Sequence, residues 1–145
     1  MPKDGNAQAL LIGSWRLISF DVEFQESGRK EPAFGPEPKG YFVFTATGRA
    51  ITLITSNNRK PGFSADEKLN LFESMMAYTG PFTIEGNKLK IAVDVSWNED
   101  WNNGTQERYF KVTHDKLEIV SEWVRSPLHE GNPMLRGILE WHRAQ

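Results

Sequence analysis

Between residues 88 and 97 the chain alternates strictly, with Leu89, Ile91, Val93, Val95 and Trp97 at every second position and Lys90, Ala92, Asp94 and Ser96 between them. That period is the signature of a β-strand, whose successive side chains point to opposite faces, and it is incompatible with the 3.6-residue period of a helix. A strand with one apolar face needs neighbours that cover it. Runs rich in aromatic and β-branched residues supply them at 12–24, 40–45, 49–56, 106–112, 116–124 and 136–143, and a shorter run covers 79–85. Such composition favours strands because these side chains fit a pleated, half-buried surface. The sequence therefore predicts eight strands.

Turn signals separate them. Thr45-Ala46-Thr47-Gly48, Glu85-Gly86-Asn87-Lys88 and Thr113-His114-Asp115-Lys116 are expected to be hairpin turns, since Gly, Asn and Asp tolerate the backbone angles that tight turns demand. Residues 98–104 read as a longer hairpin loop and 32–38 as an irregular one. One segment changes period. Ser64-Ala65-Asp66-Glu67 has the form of a capping box, and Leu69, Phe72 and Met76, widened by Leu71 and Met75, follow at helical spacing until Gly80-Pro81. This predicts one short helix between the third and fourth strands. Eight mainly antiparallel strands in one all-β domain spanning residues 1–145 fit an up-and-down barrel or a sandwich, and closure into a barrel is the arrangement that leaves no exposed strand edges. The interior of such a barrel is either filled by side chains or holds one small ligand.

Composition narrows the chemistry. A net charge of −2 over 145 residues gives no electrostatic footprint for nucleic acid. With no cysteine, thiol catalysis, thiolate metal sites and disulfides are all excluded. The apolar cluster Ala9-Leu10-Leu11-Ile12 is too short for a signal-peptide core, and no stretch approaches the length of a membrane span. The expectation is a cytoplasmic protein. His114, His129 and His142 form no pair at metal-ligand spacing, so neither metal nor cofactor is expected; His114, in a turn, and His129, in a loop over 126–133, read as solvated and His142 as facing outward. Acyl-enzyme and nucleotide-binding motifs are absent from the sequence. Asp94, Glu107, Glu122 and Glu140 alternate against the apolar face and read as solvated outer residues, which leaves no catalytic residue assigned.

Arg108 stands apart. It shares parity with Gln106, Phe110 and Val112, so if those apolar residues face inward, it does too. A charge inside a barrel must meet a counter-charge, water or an anionic ligand. Two readings follow: a structural pair with an inward carboxylate, or an anchor, with Gln106, for a carboxylate or carbonyl of a ligand. Tyr41 is a second polar candidate. Leu53, Val95, Trp97, Trp123, Leu139 and Trp141 are expected to line the interior, and Phe72 and Met76 on the helix to cover one end.

The two ends of the chain carry a further signal. Gly13-Ser14-Trp15 opens the first strand as a G-x-W signature opens a lipocalin, and Trp141-His142-Arg143 closes the last. With residues 11–20, 35–41, 45–49 and 104–110, the chain resembles the bacterial and fungal lipocalin-like domain family of the calycin superfamily, over nearly its whole length. The resemblance implies an eight-stranded up-and-down barrel with no disulfides. It also implies a structural role for Trp15 at the closed base, with Arg143 packed across its indole. The resulting expectation is a binder of a small hydrophobic or amphipathic molecule, with no membrane span. Two other readings stand beside it: an isomerase, cyclase or dehydratase acting on a small metabolite inside the barrel, and a protein-interaction module working through its loops.

Overall fold

A computed structural model describes residues 3–126 and 129–144; of the loop expected over 126–133, residues 127 and 128 therefore lie outside the description. The strands are β1 (Gly13–Phe24), β2 (Lys30–Pro32), β3 (Lys39–Phe44), β4 (Arg49–Thr55), β5 (Met75–Glu85), β6 (Lys88–Ala92), β7 (Val95–Ser96), β8 (Thr105–Val112), β9 (Lys116–Val120), β10 (Val124–Arg125) and β11 (Met134–Arg143). Helix α1 (Lys3–Leu11) precedes them, and α2 (Ala65–Glu73) sits between β4 and β5. Eight strands close into an antiparallel barrel in the order β1-β3-β4-β5-β6-β8-β9-β11, and β11 returns to pair with β1. The short strands β2, β7 and β10 extend the walls at one end, pairing with β1, β5 and β11.

Two irregularities decide which residues face inward. In β1 the register against β11 shifts between Leu17 and Ser19. The extra residue, Ile18, moves the inward face from odd to even numbers, so that Trp15 and Leu17 are followed inside by Phe20 and Val22 while Asp21 and Glu23 turn out. The second shift lies along β5. Ile91 pairs with Phe82, yet Val95 pairs with Thr79 and Ser96 with Tyr78, so one residue is gained between β6 and β7. Gly80 permits this crossing: a Cβ there would sit 1.9 Å from the Ala92 carbonyl oxygen. The run expected to form one strand over 88–97 is thus two short strands of opposite phase.

The expected helix also proves shorter. Ser64 caps α2 with the reciprocal Ser64–Glu67 bonds of a capping box. The helix ends at Glu73, however, because residues Met75 to Thr79 pair in register with Thr55 to Ile51 of β4. A ladder of cross-strand bonds outweighs the helical spacing of Met75 and Met76.

The lower half of the barrel is filled. Phe42 and Phe44 stack 4.5 Å apart, Phe42 meets the edge of Trp141 at 5.4 Å, and Phe44 meets Phe82 at 5.2 Å. Beneath them α1 contacts β5 and β8 and buries Leu11 completely. No sequence signal announces α1, whose stretch has no apolar stripe; its last turn is held from outside. The Trp15 indole N–H donates to the Leu11 carbonyl at 2.9 Å, and Arg143 donates to the carbonyls of Leu10 and Ile12. Among the described residues no helix is long and apolar enough to cross a membrane.

Candidate functional site

Above the filled half the barrel encloses a cavity of about 210 Å³. Its apolar wall comes from Phe20 and Val22 of β1, Phe42 of β3, Ile54 of β4, Met76 of β5, Ile119 of β9, and Leu135, Leu139 and Trp141 of β11. The polar groups are few: Thr52, Tyr78, Arg108 and Ser121. Two are already engaged with backbone. Thr52 donates to the Tyr41 carbonyl at 3.1 Å, and Ser121 accepts from the Gly137 amide at 2.8 Å.

Arg108 and its neighbours set the electrostatics. Its guanidinium donates to Gln106 Oε1 at 2.7 Å and to the Glu107 carbonyl at 2.9 Å, and no carboxylate lines the cavity. Glu107 points outward, where Lys88 approaches it at 3.5 Å and Glu122 at 3.6 Å. Arg108 therefore has no inward carboxylate partner among the described residues. A guanidinium carries five N–H donors, so most remain for another acceptor. Burial pushes the Tyr78 hydroxyl above its ordinary pKa, with Arg108 pulling weakly the other way, so it stays protonated and able to donate at neutral pH. The Trp141 indole N–H is buried with no hydrogen-bond partner among the described residues. A buried donor left unanswered by protein is costly. Among the described residues the cavity wall thus carries two donors not engaged with backbone elsewhere in the barrel wall, Tyr78 and the remaining N–H groups of Arg108, and no acidic group.

The sequence-derived residues scatter around this centre. Met76, Arg108, Leu139 and Trp141 line the cavity. Gln106 supports Arg108 but faces an outer cleft. Tyr41 and Leu53 pair across β3 and β4 on the outer surface, 53% and 52% exposed, and both must be withdrawn from the interior. Strands β3 and β4 carry apolar residues on both faces, so alternation could not choose between them. Val95, 61% exposed, and Trp97 are turned away from the interior by the register shift before β7; Trp97 packs on Trp101 at 5.0 Å and donates to the Phe72 carbonyl. Phe72 is exposed on α2 beside Trp97 and is not among the residues that line the cavity. Trp123 follows the end of β9, where the chain has left the ladder, and lies under the Arg136 guanidinium at 4.4 Å. Trp15 sits at the base with the Arg143 guanidinium 4.1 Å from its ring centroid.

Asp94 points outward into a bidentate pair with Arg49, at 2.9 and 2.8 Å, which holds its carboxyl below the usual range. His114 is exposed, and His142 meets Glu140 at 3.2 Å. His129 is less solvated than expected: its ring bonds Ser126 Oγ at 2.8 Å, approaches Glu31 at 3.6 Å and abuts Phe24. Among the described residues no cluster of three metal-ligating side chains occurs. The sequence reading missed most of the remaining lining, including Tyr78, Phe20 and Val22. The last two were announced by the change of apolar phase after Leu17, which is how a bulge appears in sequence.

A family model described as a lipocalin-like domain matches residues 12–144. No curated protein matches the chain. Among solved structures, the crystal structure of an uncharacterized protein from Bacteroides eggerthii is similar over 92% of this chain and 99% of its own, at 12% identity and a TM-score of 0.46.

Proposed function

The chain belongs to the lipocalin-like domain family, a fold that generally binds small molecules, and from that premise we propose that it binds a compact, largely apolar molecule bearing a hydrogen-bond acceptor. The observation that carries this reading is the pairing of an apolar cavity with donors that the protein leaves without acidic partners among the described residues: Arg108 and Tyr78. Ligand sites are typically of this kind, mostly apolar with a few placed polar groups. Size restricts the occupant. An apolar cavity of about 150 Å³ accommodates benzene, so by proportion 210 Å³ suits on the order of eight to ten non-hydrogen atoms. That favours a ring with a short substituent over a long-chain fatty acid.

An acid–base enzyme working in this cavity would have to use Tyr78, because Asp94 and Glu107 both face outward. Binding without turnover asks less of the residues present. Native mass spectrometry of the purified protein, followed by organic extraction, tests the reading. A co-purifying molecule of about this size, released on denaturation, supports it. A bare mass under gentle conditions, with no thermal shift across a panel of aryl and cyclic metabolites, overturns it.

A further inference from the structure

The wall of the barrel is open beside Arg108. Strands β8 and β9 pair only from Tyr109–Val120 to Val112–Leu117, so the first half of β8, from Thr105 to Arg108, has β6 on one side and no strand on the other. Opposite it the chain leaves β9 at Val120 and is tied instead to β11, through Ser121 and Gly137. The resulting gap opens outward into a cleft of about 500 Å³ between Glu107 and Glu122. Arg108 and Ser121 border both this outer cleft and the inner cavity. The guanidinium therefore stands in a doorway, where it is reachable from solvent and from the apolar interior.

We propose that this gap is a side entrance, and that Arg108 is its head-group site for organic carboxylates, which enter apolar end first. The inference rests on the binding reading above and adds the ligand's charge, its orientation and its route. Three features support it. Arg–carboxylate bonds are charge-assisted and favour bidentate geometry, and Arg108 has donors to spare. The two carboxylates at the threshold are drawn outward to Lys88, which offsets their repulsion of an incoming anion. The volume deep to Arg108 is apolar and closed below by Trp141 and Phe42, so a ring fits inward and a charge does not.

The test compares cinnamate with cinnamamide, nearly isosteric and differing in charge at pH 7, and with styrene as a neutral hydrocarbon probe. Affinities come from calorimetry and rates from stopped-flow tryptophan fluorescence. Cinnamate is expected to bind at least tenfold more tightly than cinnamamide, and Arg108→Gln to remove that preference while leaving styrene binding within about threefold. Arg108→Lys, which keeps the charge but not the fork, should retain part of the preference. Val124→Trp narrows the outer cleft without touching the inner cavity, and should slow cinnamate association and dissociation together by about tenfold. Equal affinities for cinnamate and cinnamamide, or unaltered rates in Val124→Trp, overturn the side entrance while leaving the binding reading intact. Failure of all three probes to bind the folded wild type overturns both.

Discussion

Arg143 and Trp15 face each other across the β1–β11 pair that closes the barrel, the guanidinium 4.1 Å from the ring centroid, while the same guanidinium donates to the carbonyls of Leu10 and Ile12. One side chain thus joins the first strand, the last strand and the end of α1. Arg143→Ala should lower stability by about 2–3 kcal/mol, combining a desolvated cation–π contact with charge-assisted hydrogen bonds. Arg143→Lys should recover only part, because an ammonium cannot stack and fork at once. Urea denaturation followed by tryptophan fluorescence reads both values.

Ile18 is the residue around which the inward face of β1 changes phase. Deleting it would join Leu17 directly to Ser19, restoring a regular ladder in which Leu17, Phe20 and Val22 all still face inward, whereas deleting Asp21 from the regular part of the strand would turn Val22 outward and Glu23 inward. The Ile18 deletion should keep native β-sheet circular dichroism, and the Asp21 deletion should lose it. Ile18→Ala, which keeps the residue count, should remain folded.

Two inward glycines should respond oppositely to alanine. At Gly80 the added carbon meets the backbone oxygen of Ala92 at 1.9 Å, whereas at Gly137 its nearest contact is Phe20 Cε1 at 3.3 Å. Gly80→Ala is expected to cost about 3 kcal/mol or more, the upper range for overpacking, because the obstacle is main chain. Gly137→Ala should fold normally and weaken binding of any ligand that fills the cavity. Thermal unfolding and the cinnamate titration distinguish them.

Tyr78→Phe removes one hydroxyl from the cavity wall and leaves the ring packed on Trp101. Stability should change by less than about 0.5 kcal/mol, since the hydroxyl has no protein partner among the described hydrogen bonds, and affinity for a ligand acceptor should fall roughly threefold to tenfold. A large loss of stability with unchanged affinity would assign Tyr78 to the core.

Stability should fall at both extremes of pH. The Arg49 bond holds Asp94, and the backbone amides of Ser64 and Phe63 hold Glu67, below the usual carboxylate range. Their contributions are present above about pH 4 and are lost as pH falls through the depressed values. On the alkaline side, Tyr78 is raised by burial, so its contribution is present below about pH 10 and is lost as pH rises through the raised value. Denaturation midpoints at pH 7 and pH 3 should differ less in Asp94→Asn than in wild type.

What the sequence determined by itself was everything local. Alternation at residues 88–93 and the capping box at Ser64 identified elements and their starts, because hydrophobic period and cap chemistry act within a few residues. The parity of Arg108 with Phe110 likewise placed it inside, since β8 runs without a bulge. Only the tertiary structure decided which face was inward wherever the period was interrupted or absent. A single inserted residue, at Ile18 or between Ile91 and Val95, reverses every later side chain, and that insertion is defined by the partner strand. Tyr41 and Leu53 lay on strands apolar on both faces, so closure of the barrel chose Phe42 and Thr52 for the inside instead. The doorway beside Arg108 was equally invisible, for it consists of a pairing that β8 and β9 do not make.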